Sequence, residues 1–238
     1  MILPPTSGHY YPAERMRVPI LRPFMPAAVS QSLSKVLFSG WIGEGPVVQE
    51  FERALANVLG APEVVCVNSG TSAICLALHL AGVGPGDEVI TSPLTCAATN
   101  LPILQRGARP VWADVDPSSG LIDPDSVRRE VSRSTRAIIA VDLHGFPCDY
   151  QELSGIARQH SVPLISDGAQ ALGASYKASF PGALADFTCL SFQSVKTITT
   201  GDGGALCLSV DQAPRARRLR WFGIDRGGQA AKPDPLEV

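Results

Sequence analysis

Two residues stand where side chains do chemistry, one lysine and one aspartate. Lys196 follows the apolar run from Phe187 to Phe192 and precedes the cluster Gly201-Asp202-Gly203-Gly204. A lysine just past a buried strand is partly stripped of water, and a desolvated amine is a nucleophile toward carbonyls. A surface position at a strand end is the commoner fate of a lysine. The chain has only four lysines, Lys35, Lys177, Lys196 and Lys232, and only Lys196 lies between a buried strand and a glycine-rich turn. Asp167 ends a second apolar run, Val162-Pro163-Leu164-Ile165-Ser166. A carboxylate there lies where open α/β sheets bind ligands, and equally where a helix takes its N-cap. A third stretch, Asn68-Ser69-Gly70-Thr71-Ser72-Ala73, passes from a strand into a helix. Free N–H groups and the helix dipole make that junction an anion site, although an ordinary N-cap has the same composition. Gly70 permits close approach, and the Thr71 and Ser72 hydroxyls add hydrogen bonds.

These residues need a scaffold, and the hydrophobic pattern supplies one. Short apolar runs predict strands at 63–67, 88–91, 109–113, 136–142, 162–166, 187–192 and 205–209. Helical spacing predicts helices at 71–81, 97–106, 124–132, 149–160 and 212–221, preceded by helical segments over 26–37 and from Pro46 to a stop at Gly60. Strands alternating with helices indicate parallel pairing with helices on both faces. Continuous apolar strands such as Ala137-Ile138-Ile139-Ala140-Val141 fit a sheet covered on both sides. Residues 1–22 read as extended, with 1–17 as an N-terminal arm and 18–238 as one domain. The polar segment 226–238 reads as a loop.

Composition narrows the function further. The 238 residues are 45% apolar, enough for a substantial core, and the formal net charge is -2 with no long run of one sign. Nothing there favours nucleic acid or an anionic membrane. No apolar run reaches the roughly 18 residues of a membrane helix, and residues 1–17 lack the apolar core of a secretory signal. The six cysteines form no C-x-x-C pair and mostly lie in apolar runs, which predicts buried free thiols in a cytoplasmic protein. The four histidines are not spaced with them, so no metal site is expected. No lysine follows a glycine as in a P-loop, and Gly82-Val83-Gly84-Pro85-Gly86 does not fit G-x-G-x-x-G, against a nucleotide-binding α/β domain.

The motifs together resemble the DegT/StrS-type sugar aminotransferase family, which uses pyridoxal phosphate (PLP) on the type I aminotransferase fold. Ser191 to Lys196 fits its S-F-x-x-x-K run, and Thr200 to Gly204 the glycine turn behind it. Ser39-Gly40-Trp41 with Gly45-Pro46, Gly70-Thr71, Asp167 with Ala169-Gln170-Ala171, and Pro93 to Thr99 fit further family motifs. The resemblance implies a three-layer α/β fold around a mostly parallel seven-stranded sheet, with the C-terminal small domain missing. It implies that Lys196 is catalytic and forms the Schiff base with PLP. Gly70, Thr71, Ser72 and Ser191 would hold the phosphate, Ser72 through its backbone because it replaces an alanine. Asp167 would bind the ring nitrogen, and Gln170 would lie near the ring hydroxyl. Cys96 stands where the family usually carries an aromatic that stacks on the ring, and a thiol gives weaker contact. His144 and Asp202 read as turn residues.

The implied reaction moves an amino group from an amino acid, commonly glutamate, to a keto group of a nucleotide-linked deoxysugar, as in polysaccharide biosynthesis. A dehydratase branch of the family carries histidine in place of the lysine, and Lys196 argues against it. The alternatives are a cyclitol or other cyclic ketone as acceptor, or a truncated PLP-binding protein without turnover. The full-length form is expected to be a homodimer, and residues 1–238 alone an incomplete catalytic unit.

Overall fold

The structure, a computed structural model, describes residues 23–224. The expected arm and the whole of the expected C-terminal loop lie outside those residues. In chain order the elements are α1 (Val29–Leu37), α2 (Pro46–Leu59), β1 (Glu63–Val67), α3 (Gly70–Leu80), β2 (Glu88–Thr91), α4 (Ala97–Gln105) and β3 (Arg109–Trp112). There follow α5 (Pro124–Glu130), β4 (Thr135–Val141), α6 (Tyr150–His160), β5 (Leu164–Asp167), β6 (Phe187–Ser191), β7 (Gly204–Leu208) and α7 (Ala213–Leu219). Two 3₁₀ turns, Leu143–Gly145 and Pro181–Leu184, were not expected from the sequence.

The strands form one seven-stranded sheet in the order β1-β7-β6-β5-β4-β2-β3. β7 runs antiparallel to both of its neighbours, and the remaining pairs are parallel. β1 therefore points the same way as β6. The carboxyl ends of β1, β2, β4, β5 and β6 share one edge of the sheet, and β7 starts from that edge. This brings the loops after residues 67, 91, 141, 167 and 191 together, where ligands bind in such sheets.

Three layers follow from the burial. One face packs Val65, Val89, Ile139, Ile165 and Leu206 under α3, α4 and α7, through Ile74, Leu78, Ile103 and Ala216. The other packs Ile90, Ile138, Ala140 and Leu164 under α5 and α6, through Val127, Tyr150, Leu153 and Ile156. α2 closes the β1–β7–β6 end with Leu55 and Leu59 against Val64, Leu190 and Phe192. Each fully buried Ile or Leu contributes about 1.5–3 kcal/mol. α2 stops at Gly60, whose φ of 66° is left-handed, where glycine carries no Cβ penalty. β5 begins at Leu164 rather than at residue 162. The left-handed Ser161 and the Val162 N–H bonded to Ala157 O (3.0 Å) still belong to the end of α6. Among the described residues no helix is long and apolar enough to cross a membrane.

Candidate active site

Asp167 closes β5, buried, with Val141 of β4 on one side and Cys189 of β6 on the other. Its Oδ2 accepts the Thr99 hydroxyl at 2.6 Å, and its Oδ1 accepts the Ala169 N–H at 3.2 Å. Burial pushes its carboxyl above the ordinary range; those two hydrogen bonds and the charge of Lys196 act in the opposite direction.

Lys196 is half-buried in the turn that leaves β6. The turn is pinned at both ends. Phe192 N–H donates to Gly203 O (2.8 Å), and Phe192 O accepts from Thr200 N–H and the Thr199 hydroxyl (both 3.0 Å). Lys196 N–H closes onto Gln193 O at 2.9 Å. Thr200 Oγ1 donates to the backbone O of Asp202, so Asp202 shapes the turn through its main chain.

The start of α3 lies against the ends of β6 and β7. A Cβ on Gly70 would come within 2.9 Å of Ser191 Cβ, and one on Gly204 within 2.3 Å of the Ser69 carbonyl. Glycine at both positions lets the helix N-terminus sit directly on Ser191. Ser69 caps α3, its Oγ accepting Ser72 N–H at 3.1 Å. The Ser72 hydroxyl bonds Asn68 Oδ1 (2.5 Å) and Ser69 Oγ (3.0 Å). Ser72 is thus engaged in the cap. The N–H groups of Gly70 and Thr71 have no acceptor within the helix. These free donors make the helix start, packed on Ser191, a candidate anion cradle. A pocket of about 840 Å³ borders this cradle at Asn68 and Ser72 but includes neither Asp167 nor Lys196.

The other expected residues divide. Gln170 Oε1 accepts His144 N–H at 3.0 Å, which leaves its NH₂ group as a donor. His144 is exposed, in a left-handed turn (φ 55°). Cys96 is exposed at the N-cap of α4, three residues before Thr99. All six cysteines are free thiols; Cys148, Cys189 and Cys207 are buried as expected, whereas Cys66 and Cys75 are half-buried and Cys96 is exposed.

Several supporting residues carry no sequence signal. Glu52, buried on α2, accepts Cys66 N–H (2.8 Å), Arg220 Nη1 (2.9 Å) and Arg217 Nη2 (3.0 Å). Arg220 also donates to Cys66 O (2.8 Å), which clamps the end of β1 just before the cradle. Asp142, whose N–H donates to Asp167 O (3.1 Å), is buried and accepts Cys148 N–H, the Tyr150 hydroxyl and the Ser166 hydroxyl. Burial, the largest influence, raises its carboxyl from 3.8 to about 6 against those three bonds.

An acid raised on folding binds more protons in the folded than in the unfolded chain between those two values. Stability therefore falls as pH rises through that window. At about 1.4 kcal/mol per pH unit the loss amounts to roughly 3 kcal/mol. Asp142→Asn is expected to flatten the stability profile between about pH 4 and pH 6 relative to the parent, in urea unfolding at a series of pH values. Parallel profiles would show that Asp142 does not titrate in this way.

Comparison with known proteins gives a consistent picture. The family model of the DegT/DnrJ/EryC1/StrS aminotransferases matches residues 25–233. The spore coat polysaccharide biosynthesis protein SpsC of Bacillus subtilis (strain 168) is 39% identical over 201 residues, which are 84% of this chain and 51% of SpsC. The L-glutamine:2-deoxy-scyllo-inosose aminotransferase of Streptomyces lividus is 38% identical over 220 residues, 89% of this chain and 52% of that protein. The chain thus spans about half the length of these curated relatives. Among solved structures, Spr1654 of Streptococcus pneumoniae in its PLP form superposes with a TM-score of 0.85 at 31% identity, over 91% of this chain and 61% of that one. The chain belongs to the DegT/DnrJ/EryC1/StrS aminotransferase family.

Proposed function

We propose that this chain is the cofactor-binding domain of a PLP-dependent aminotransferase acting on a keto group of a sugar or cyclitol. The observation that carries the reading is the buried Asp167 at the sheet's carboxyl edge, within electrostatic reach of Lys196 and paired with Cys189 on the same strand that ends at Ser191. PLP, when bound, supplies an aldehyde carbon that takes up amines and a ring that accepts electrons from the substrate. The residues fit that group. The Gly70 and Thr71 N–H groups with the Thr71 and Ser191 hydroxyls would hold the phosphate, and Ser72 would contribute by ordering the helix start. Asp167, when ionised, would hold a protonated ring nitrogen. The Gln170 NH₂ group donates toward the ring oxygen while its Oε1 stays on His144. Lys196 Nζ would hold the cofactor through its aldehyde carbon and, once displaced by the amino donor, would carry the donor's Cα proton to that carbon. One amine serving both roles needs no second base.

The acceptor is a nucleotide-linked deoxysugar in the first reading. The second, a cyclitol ketone, is favoured by the likeness to the inosose aminotransferase. The enzyme is proposed as a homodimer whose catalytic unit needs more than residues 1–238. The test assays the chain alone, and extended by a relative's C-terminal region, with nucleotide keto-sugars and with 2-deoxy-scyllo-inosose, each with glutamate and glutamine. Turnover of one acceptor class by the extended form is expected, with little by the chain alone. Failure with every acceptor, despite bound PLP, would leave a PLP-binding protein without turnover.

A further inference from the structure

We propose that Thr99, backed by Thr95, is a positioning residue for Asp167: an ordered pair of hydroxyls that fixes one carboxylate oxygen and keeps the group ionised. The proposal rests on the reading of Asp167 as the partner of the ring nitrogen. Thr99 is buried in the first turn of α4 and reaches Asp167 across 68 residues of sequence. Its Oγ1 lies 2.6 Å from Asp167 Oδ2 and 2.8 Å from Thr95 Oγ1. Thr99 has one hydroxyl proton, and an ionised carboxylate only accepts. That proton therefore goes to Asp167, and Thr95 must be the donor in the Thr95–Thr99 pair. Hydroxyls aligned in this way polarise one another, and the last bond, onto a charge, is the strongest.

The alignment matters because Asp167 is buried. Dehydration favours its neutral form, and a neutral carboxyl does not hold a cation. Few groups oppose this: Thr99, the Ala169 N–H and the charge of Lys196. The buried thiols of Cys189 and Cys148 also lie within electrostatic reach, but they carry no positive charge. Thr99 also has its own N–H on Cys96 O (3.0 Å). The loop that carries Cys96 and the carboxylate are thereby tied to the same residue.

The test compares Thr99→Val, Thr99→Ser, Thr95→Val, Asp167→Asn and the Thr99→Val/Asp167→Asn double variant of the 238-residue chain. The first readout is the PLP dissociation constant from fluorescence titration. The second, in PLP-free protein, is the pH at which the Asp167 carboxyl ionises, from ¹³C NMR of labelled aspartates. Thr99→Val is expected to weaken PLP binding about tenfold, the effect of losing one hydrogen bond to a charged group, and to move the Asp167 ionisation to higher pH. Thr99→Ser keeps the hydroxyl and should restore both, and Thr95→Val should shift both in the same direction by less. In the Asp167→Asn background the valine should add nothing, since the charge it serves is gone. An unmoved ionisation, or an equal weakening with and without the Asp167 charge, would overturn the proposal. Asp167→Asn binding PLP as the parent does would instead overturn the ring-nitrogen reading, whatever Thr99 does to the carboxyl.

Discussion

Replacing Lys196 with alanine is expected to reduce transamination by about 10⁴-fold or more, since on the proposed reading it removes both the anchoring amine and the proton carrier. The comparison is with the parent in the same active form of the chain. Lys196 lies on a turn pinned at both ends by Phe192 and Gly203, so the side chain starts from a fixed point. A deletion there leaves the sheet untouched, because Lys196 is half-buried and belongs to no strand. Lys196→Arg should be equally inactive, since a guanidinium stays protonated and cannot act as nucleophile or base. Circular dichroism should be unchanged in both. A Lys196→Ala protein within tenfold of the parent would end the assignment.

Asp167→Asn carries the second large effect, a loss of about 10²–10³-fold in turnover, or about 3–4 kcal/mol of barrier. The amide matches the carboxylate in shape but has no charge with which to keep a ring nitrogen protonated. It can accept from Thr99 or from the Ala169 N–H but not from both. A stability loss of about 1 kcal/mol should accompany the kinetic one. The two are separated by measuring rates well below the unfolding temperature and checking the fold by urea titration. Turnover equal to the parent's would contradict the ring-nitrogen role.

Much of the fold was legible because apolar strands alternate with helical spacing, a local property. Val89-Ile90 and Ile138-Ile139 announce buried strands whatever their neighbours. Strand order was not local. Nothing in Gly204-Ala205-Leu206-Cys207-Leu208 states that β7 enters between β1 and β6 and runs against both. That placement sets Gly204 against Ser69, which explains why a glycine is needed there. The place of a candidate site residue was legible where one residue ends one strand, as with Asp167 at the end of β5. It was illegible where contacts cross the chain. Thr99 lay inside a stretch already singled out for Cys96, yet only the packing of α4 brings its hydroxyl to Asp167. Nothing in the sequence singles out Glu52, because its clamp on the end of β1 depends on α7 arriving from the far end of the sequence. Ser72 read as an anion donor, but the N-cap geometry of Ser69 engages it first. His144 and Gly145 read as a turn, and their left-handed backbone agrees.

The central claim, that Lys196 is the amine that holds the cofactor, is tested most directly by trapping. The protein is incubated with PLP, reduced with borohydride, digested and mapped by mass spectrometry. A single pyridoxyl group on the peptide containing Lys196, absent from Lys196→Ala, is the predicted result. A pyridoxyl group on Lys177 or Lys35 instead, or bound PLP that borohydride fixes to no lysine, would contradict it.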